Sequence, residues 1–372
     1  MPKVSVIVPT YNRAHIVGEA IQSILDQSMP DFEILVIDDG STDETAEVIS
    51  GFLDGRLRYL KRPNGGVSAA RNMGLKQARS SLLAFLDSDD LYLPEKLAVQ
   101  VEKMDSAPDL GFLYGRYFGQ VASRPTRHPT GKCVPDLGIE QLVLGPVFHW
   151  SSVMVRRSWI DRVGEFDERL KVAEEWQFSM RMALAGCQMA CIAQPLSVAR
   201  IQSVSLSRQL YRHADSAQRA LAAIFEHPAW PSDRADLVAR AYAFQQIRLA
   251  ASAFLDENPA VGLRFLEKAL AHDPALSGQD RDLFAARLSG YLSGLSLDDP
   301  AQVIASAAES LADHRQLARE LHAVYQRDRA FRANRLERWP EARQAAQAAL
   351  KHKPAYLLNR GLVAVLLRSL RN

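Results

Sequence analysis

The sequence predicts an α/β domain with a doubly wound, mainly parallel sheet over residues 1–208, followed by an all-α domain over residues 209–372. Three observations carry this. Short apolar runs alternate with amphipathic helical stretches through the first hundred residues. Each apolar run ends in polar residues or glycine. Beyond about residue 208 strand signals stop, and an Ala-, Leu- and Arg-rich chain with helical spacing takes over. Parallel strands need crossover connections, so strict strand–helix alternation implies a wound sheet.

The elements follow in order. Val4 to Val8, closed by Pro9, has the near-continuous apolar pattern of a strand buried on both faces. Ile16, Ala20 and Ile24, with Val17, Ile21 and Leu25 beside them, form a helical stripe. Phe32 to Ile37 is a second strand ending in Asp38-Asp39-Gly40, and Ser41 with Glu44 reads as a capping box. Leu57 to Lys61 is a shorter third strand. Asn64-Gly65-Gly66 breaks the chain before a helix over Val67 to Ala78. Leu82 to Leu86 is a fourth strand running into Asp87-Ser88-Asp89-Asp90, and Pro94 fits the first turn of a helix that stacks Leu97, Val101 and Met104.

From about residue 110 the pattern is mixed. LGFLYGRYF, SSVMVRR and MACI read as strands, residues 174–186 as a helix, and residues 125–146 carry few helix signals. This half is expected to complete the first domain. In the helical domain, AL-AHDPA at Ala269–Ala275 recurs at an offset of 80 as AL-KHKPA at Ala349–Ala355. Each copy ends a helix with His, one residue, then Pro. That is similar to the second helix of tetratricopeptide-like hairpins, and equally compatible with a generic helical tail.

Composition narrows the function. A chain of 372 residues, 47% hydrophobic and 24% charged, is long enough for two cores. Its formal charge of +2 gives no reason to expect nucleic acid. No apolar run reaches the roughly 18 residues of a spanning helix, and MPKVSVIVPTYN reads as a strand rather than a signal peptide. Cys133, Cys187 and Cys191 are too few for a disulfide framework, and Cys187 and Cys191 read as reduced core thiols. A cytoplasmic protein is expected. Charge is uneven, however. Residues 326–372 hold eleven Lys and Arg against three acidic residues, a net +8, which leaves −6 for residues 1–325. The last stretch sets Leu357, Leu358, Leu362, Val363, Leu366, Leu367 and Leu370 among Arg360, Arg368 and Arg371. Such a segment suits peripheral contact with an anionic inner-leaflet surface. The alternative is a docked terminal helix with a solvated basic face.

In open α/β sheets ligands bind beyond the carboxyl ends of the strands. Here those ends carry Pro9-Thr10-Tyr11-Asn12, Asp38-Asp39 and Asp87-Ser88-Asp89-Asp90. Five carboxylates converging on one crevice repel one another unless a cation lies among them. Asp87 and Asp89 fall on one side of an extended segment. Two oxygen donors facing phosphate oxygens suit magnesium or manganese. An exposed acidic turn is the bland alternative, weakened by the buried strand before it and the second acidic strand end beside it. No glycine fingerprint follows the first strand, which argues against a dinucleotide cofactor. Gly65-Gly66 would let the backbone approach a ligand. Arg71, one turn into the next helix, reads equally as a crevice residue or a structural ion-pair partner.

VSVIVPTYNRA, EILVIDDGSTDET, NGGVSAARNMGL and LLAFLDSDDLYLPEKL, in this order, resemble the serial motifs of family 2 glycosyltransferases of the GT-A fold, over roughly residues 3–205. The resemblance implies a metal-dependent inverting transferase using Mn2+ or Mg2+. Its donor would be a nucleotide-sugar, with a UDP-sugar preferred over GDP- and dTDP-sugars. Its acceptor would be a sugar or lipid-linked glycan, as in bacterial surface polysaccharide synthesis. It places Pro9, Thr10 and Tyr11 in the nucleotide pocket, Asp39 on the base with Arg71 close to it, Asp87 and Ser88 near ribose and diphosphate, and Asp89 on the metal. GEFDERLKVAEEWQFSMRMALAG resembles the family's base-bearing segment, with Glu174-Glu175 in place of Glu-Asp, so Glu175 would be the general base. A helix dipole alone also accounts for both glutamates. Where many relatives have Arg-x-His near the metal, this chain has Arg200-Ile201-Gln202. His149 and Trp150 are candidates to face the acceptor together with Glu174, although a tryptophan there is often core. A nucleotidyltransferase on a similar fold, or a non-catalytic scaffold on a decayed transferase domain, are the rival readings.

Overall fold

The computed structural model describes residues 1–121, 127–131, 133–134, 137–201, 206–295 and 300–371. The chain forms two compact units, one of Met1–Gln202 with Asp215–Leu237, the other of Ser203–Ala214 with Val238–Asn372. The units therefore do not separate at a single point near residue 208.

The first unit is built on one mixed sheet. Its strands are β1 (Val4–Thr10), β2 (Phe32–Asp38), β3 (Leu57–Lys61), β4 (Leu82–Phe85), β5 (Leu91–Tyr92), β6 (Leu110–Val121), β7 (Arg127–Thr130), β8 (Met154–Arg156) and β9 (Gln188–Ile201). They lie in the order β3-β2-β1-β4-β8-β6-β9-β5, with β7 on β6. β1 to β4 run parallel, linked by α1 (Val17–Leu25), α2 (Thr45–Ser50) and α3 (Val67–Gln77). β8 enters antiparallel to β4 and β6, and β9 returns parallel to β6. The remaining helices are α4 (Lys96–Ser106), α5 (Ile139–Leu142), α6 (Arg157–Val163), α7 (Glu174–Leu184) and α8 (Ala214–Phe225).

The central strands are apolar throughout because both faces are covered: every residue of β1 and β2 is buried. Val17, Ala20, Ile21 and Ile24 are the buried stripe of α1, and they share a core with Val4, Val6, Ile34, Val36, Leu97, Val101 and Met104. α3 lies so close to β1 that a Cβ on Gly74 would stand 2.5 Å from Ile7 Cγ2, so glycine is required there. The register pairs Thr10 with Asp38, and the N–H of Leu86 donates to the carbonyl of Ile7. The carboxyl ends of β1, β2 and β4 therefore finish side by side.

Three local expectations change. The Ser41–Glu44 capping box does not form. Instead the Ser41 hydroxyl accepts from the N–H of Asn12, and Asp43 accepts from the N–H groups of Ala14 and Thr45, tying the β1 and β2 loops together. Pro94 lies two residues ahead of α4 rather than in its first turn. Cys191 is not a reduced thiol: it is bonded to Cys133, and only Cys187 is a free, buried cysteine. The pairing was invisible because 58 residues separate the partners, and only the β6–β9 neighbourhood brings them together. The thiol-based argument for a reducing compartment falls with it.

Among the described residues the second unit is helical, with α9 (Ala235–Leu255), α10 (Pro259–His272), α11 (Arg281–Leu295), α12 (Pro300–Ser310), α13 (Arg315–Arg335), α14 (Trp339–His352) and α15 (Arg360–Arg371). The repeat glimpsed in sequence is structural. α9 and α10 match α13 and α14 residue for residue at an offset of 80, and each pair is joined through a left-handed glutamate, Glu257 or Glu337. Tyr242 stacks on His272, as His322 stacks on His352. The ion pair under each stack is reversed in polarity: Arg240 meets Asp273 at 2.8 Å, while Glu320 meets Lys353 at 3.0 Å. One geometry has thus been kept by two charge arrangements.

Candidate functional site

The site grows from the aligned strand ends. After β1, Thr10 is buried, and its hydroxyl has no hydrogen-bond partner among the described residues. Pro9 is buried, whereas Tyr11 is 47% exposed. Asp38 and Asp39 diverge, as neighbouring strand residues must. Asp38 is fully buried and accepts from the Tyr59 hydroxyl and the Ser41 N–H. Burial raises its carboxyl, but these bonds win and hold it below its ordinary value. Asp39 accepts from the N–H groups of Gly65, at 3.0 Å, and Gly66, at 2.7 Å, and pairs with Arg62 at 2.5 Å. The Gly65-Gly66 turn therefore packs against Asp39, with Gly66 at φ +94° opening α3.

Arg71 does not reach Asp39. It is buried, with its guanidinium at 2.9 Å from Asp87, 2.9 Å from Glu174 and 2.5 Å from Glu175. Trp150 and Phe166 rings stand 5.9 and 5.6 Å from it. One guanidinium thus gathers carboxylates from the end of β4 and the start of α7, more than a hundred residues away. α7 starts just after Ala173, which is left-handed at φ +65°, and the Ser216 hydroxyl anchors the N–H groups of Lys171 and Val172 before it. Glu174 is buried in this clamp, so it does not face an acceptor. Glu175 keeps a third of its side chain exposed. Burial pushes its carboxyl up to about 8. Arg71 opposes this, and the charges of Glu174 and Asp87 add to it.

The Asp87–Asp90 segment is held from below by Ser151. Its hydroxyl accepts from the N–H of Asp87 and donates to Asp90 at 2.5 Å. Asp90 also accepts from the N–H of Arg200 and is buried, which pushes its carboxyl up to about 7. Ser88 is buried, and Asp89 is partly exposed, 4.0 Å from Arg13. Burial and the neighbouring charge of Asp87 raise the Asp89 carboxyl. His149 sits over this segment with Nδ1 3.4 Å from Asp90 and its ring 5.2 Å from Tyr117. One donor atom each from Asp87, Asp90 and His149 lie within 4.8 Å of one another. Five carboxylates here face Arg71, Arg13 and His149, and that surplus of negative charge favours a bound cation.

Trp150 is not an acceptor platform. It is 2% exposed and packs among Phe85, Phe112, Phe166 and Phe178, so no sugar reaches its face. Gln202 lies outside the described residues. Ser151, Arg13 and Tyr117 are not singled out by the sequence. Each acts through a partner 32 to 76 residues distant, and no local pattern announces such contacts.

Comparison with known proteins gives likenesses of family and of fold. Residues 5–164 match the family model described as Glycosyl transferase family 2. An uncharacterized glycosyltransferase of Rickettsia felis is 50% identical over 104 residues, which is 28% of this chain and 17% of that protein. The UDP-Glc:alpha-D-GlcNAc-diphosphoundecaprenol beta-1,3-glucosyltransferase WfgD of Escherichia coli is 39% identical over 115 residues, 31% of this chain and 45% of that one. The chain spans only 17% of the length of the first two curated relatives it matches. Among solved structures, the mannosyltransferase PcManGT of Pyrobaculum calidifontis, in complex with GDP-Man and Mn2+, has a TM-score of 0.53 at 21% identity, covering 84% of this chain and 88% of that one. TarS 1-349 of S. aureus, in complex with UDP-GlcNAc, has a TM-score of 0.52 at 21% identity, covering 88% and 91%. These two likenesses are of fold.

Proposed function

We propose that this chain, whose residues 5–164 match the model of glycosyl transferase family 2, moves a sugar from a nucleotide-sugar donor to an acceptor hydroxyl with inversion at the anomeric carbon. The observation that carries the reading is the Arg71 clamp, which sets Glu175 beside the Asp87–Asp90 segment.

The donor lies across the strand ends, with its base by Tyr11 and Asp39 in the pocket wall. Its ribose and diphosphate run along Asp87 and Ser88. Glu175 accepts the proton of the acceptor hydroxyl. That oxygen forms its bond to the anomeric carbon on the face opposite the diphosphate, and the diphosphate departs with the electron pair of the bond that breaks. General-base assistance of this kind contributes about 10²–10⁴-fold. Asp89, facing the diphosphate, would hold a divalent cation, which when bound offsets the charge growing on the leaving group. The donor set, oxygen-rich and surplus in negative charge, fits manganese or magnesium.

A UDP-sugar is the preferred donor, supported by the UDP-Glc named for WfgD and the UDP-GlcNAc bound to TarS. The lipid-linked glycan named for WfgD supports an acceptor of that kind, and with it a role in surface polysaccharide synthesis. No helix among the described residues is long and apolar enough to cross a membrane. The basic, leucine-bearing residues 326–372 are the segment that would make peripheral contact with a lipid surface.

Incubation with UDP-, GDP- and dTDP-sugars, with and without manganese, tests the proposal. Manganese-dependent release of nucleoside diphosphate, with an inverted product by NMR, supports it. Pyrophosphate exchange would point to a nucleotidyltransferase. Silence with every donor would point to a scaffold.

A further inference from the structure

The imidazole of His149 is the one nitrogen donor in the acidic group formed with Asp87 and Asp90, and three features single it out. Its Nδ1 is shut off from solvent and makes no hydrogen bond among the described residues, although Asp90 Oδ2 is only 3.4 Å away. A ring nitrogen closed to solvent whose one contact is a long ion pair is poorly satisfied, so the position leaves room for a closer partner. Asp90 is fixed independently of His149. Its two oxygens take the Ser151 hydroxyl at 2.5 Å and the Arg200 N–H at 3.0 Å, so it stays in place and does not chase the imidazole. The imidazole is itself placed from the other side by the Tyr117 ring, 5.2 Å away and inclined at 47°. The donor atoms of Asp87, Asp90 and His149 stand within 4.8 Å of one another, a span that two metal–ligand bonds of about 2.1 Å close with a small adjustment.

We propose that His149 is a direct ligand of the divalent cation, coordinating together with the Asp87–Asp90 segment, and that it biases the site towards manganese over magnesium. The inference rests on the reading that the site takes a divalent cation. An imidazole among carboxylates raises affinity for first-row transition ions more than for magnesium, which prefers oxygen and water. The same arrangement gives Ser151 a role: it fixes the Asp87 backbone through its N–H and the Asp90 carboxylate directly, as supporting shells do in metal sites.

The test uses the full chain with Mn2+ and UDP, read by pulsed electron paramagnetic resonance for nitrogen coupling and by calorimetry for affinity. Bound Mn2+ should show the ¹⁴N modulation of a coordinated imidazole. His149→Ala should abolish that modulation and weaken Mn2+ binding at least tenfold, while Mg2+ binding changes less. The wild-type signal stands even if the variant folds poorly. Bound Mn2+ without histidine modulation, or with modulation that survives in His149→Ala, overturns the ligand assignment and leaves the cation reading intact. No Mn2+ binding even with UDP present overturns the cation reading itself.

Discussion

Arg71 and Glu175 meet at 2.5 Å although 104 residues separate them, and this contact joins α3 to the start of α7. The buried guanidinium is shared with Asp87 and Glu174, so the clamp is at once a fold contact and a feature of the site.

Removing the guanidinium should be severe. Arg71→Ala leaves Glu174 buried and its two companions crowded without a counter-charge, a loss of about 3–5 kcal/mol for a broken buried pair. Arg71→Lys should recover only part of it, because an ammonium cannot reproduce the planar fork that meets three carboxylates. Urea unfolding of both variants measures this. Wild-type stability in Arg71→Ala would show that the clamp contributes nothing.

Glu175→Gln should retain UDP affinity and lose turnover, because a base acts in the transition state. Glu174→Gln should keep more activity than Glu175→Gln, and the reverse order would reassign the base. With the Glu175 carboxyl at about 8, kcat/KM should climb about tenfold per pH unit below that value and level above it. The sign for stability is opposite. The folded value lies above the ordinary 4.5, so this group stabilises the fold fully below pH 4.5 and loses that contribution as pH rises towards 8.

Asp89→Ala should abolish manganese-dependent UDP binding and leave the unfolding free energy within about 0.5 kcal/mol of wild type, since the Asp89 side chain is partly exposed and its ion pair among the described residues is a long one, with Arg13 at 4.0 Å. Calorimetric titration of UDP with and without manganese reads the first effect. Unchanged manganese dependence would remove Asp89 from the cation's surroundings.

The Cys133–Cys191 bond makes a simple prediction. Denatured without reductant, the chain should release one titratable thiol, that of Cys187, and after reduction all three. Burial pushes the Cys187 thiol up to about 12, so the native protein should react with almost none. Three thiols without reductant would mean that the pairing does not form in solution.

Leu357, Leu358, Leu367 and Leu370 are among the most exposed large apolar side chains described, with Leu358 at 87%. The chain should therefore pellet with anionic vesicles at low salt and remain in the supernatant with neutral ones. Leu357→Glu with Leu358→Glu and Leu367→Glu should release it. A wild-type chain that never pellets ends the idea of peripheral contact.

The sequence by itself determined the wound parallel half of the sheet, because strands buried on both faces must be continuously apolar and the helices between them must carry one apolar stripe. It also determined which strand ends are acidic, and the 80-residue repeat was visible in seven residues. The tertiary structure alone decided what those acidic ends touch. Asp39 was free to be paired with Arg71 in the linear reading, yet the Gly65-Gly66 turn takes its oxygens and α7 delivers two glutamates to Arg71 instead. Trp150 and His149 are adjacent, yet one is sealed in an aromatic core and the other stands over the carboxylates. The Cys133–Cys191 bond, the Ser151 support and the reversed ion pairs of the repeat were equally hidden. Periodicity reports the burial of a face, which is local. Pairing of charges and thiols depends on which distant segments the sheet order brings together, and no local pattern encodes that.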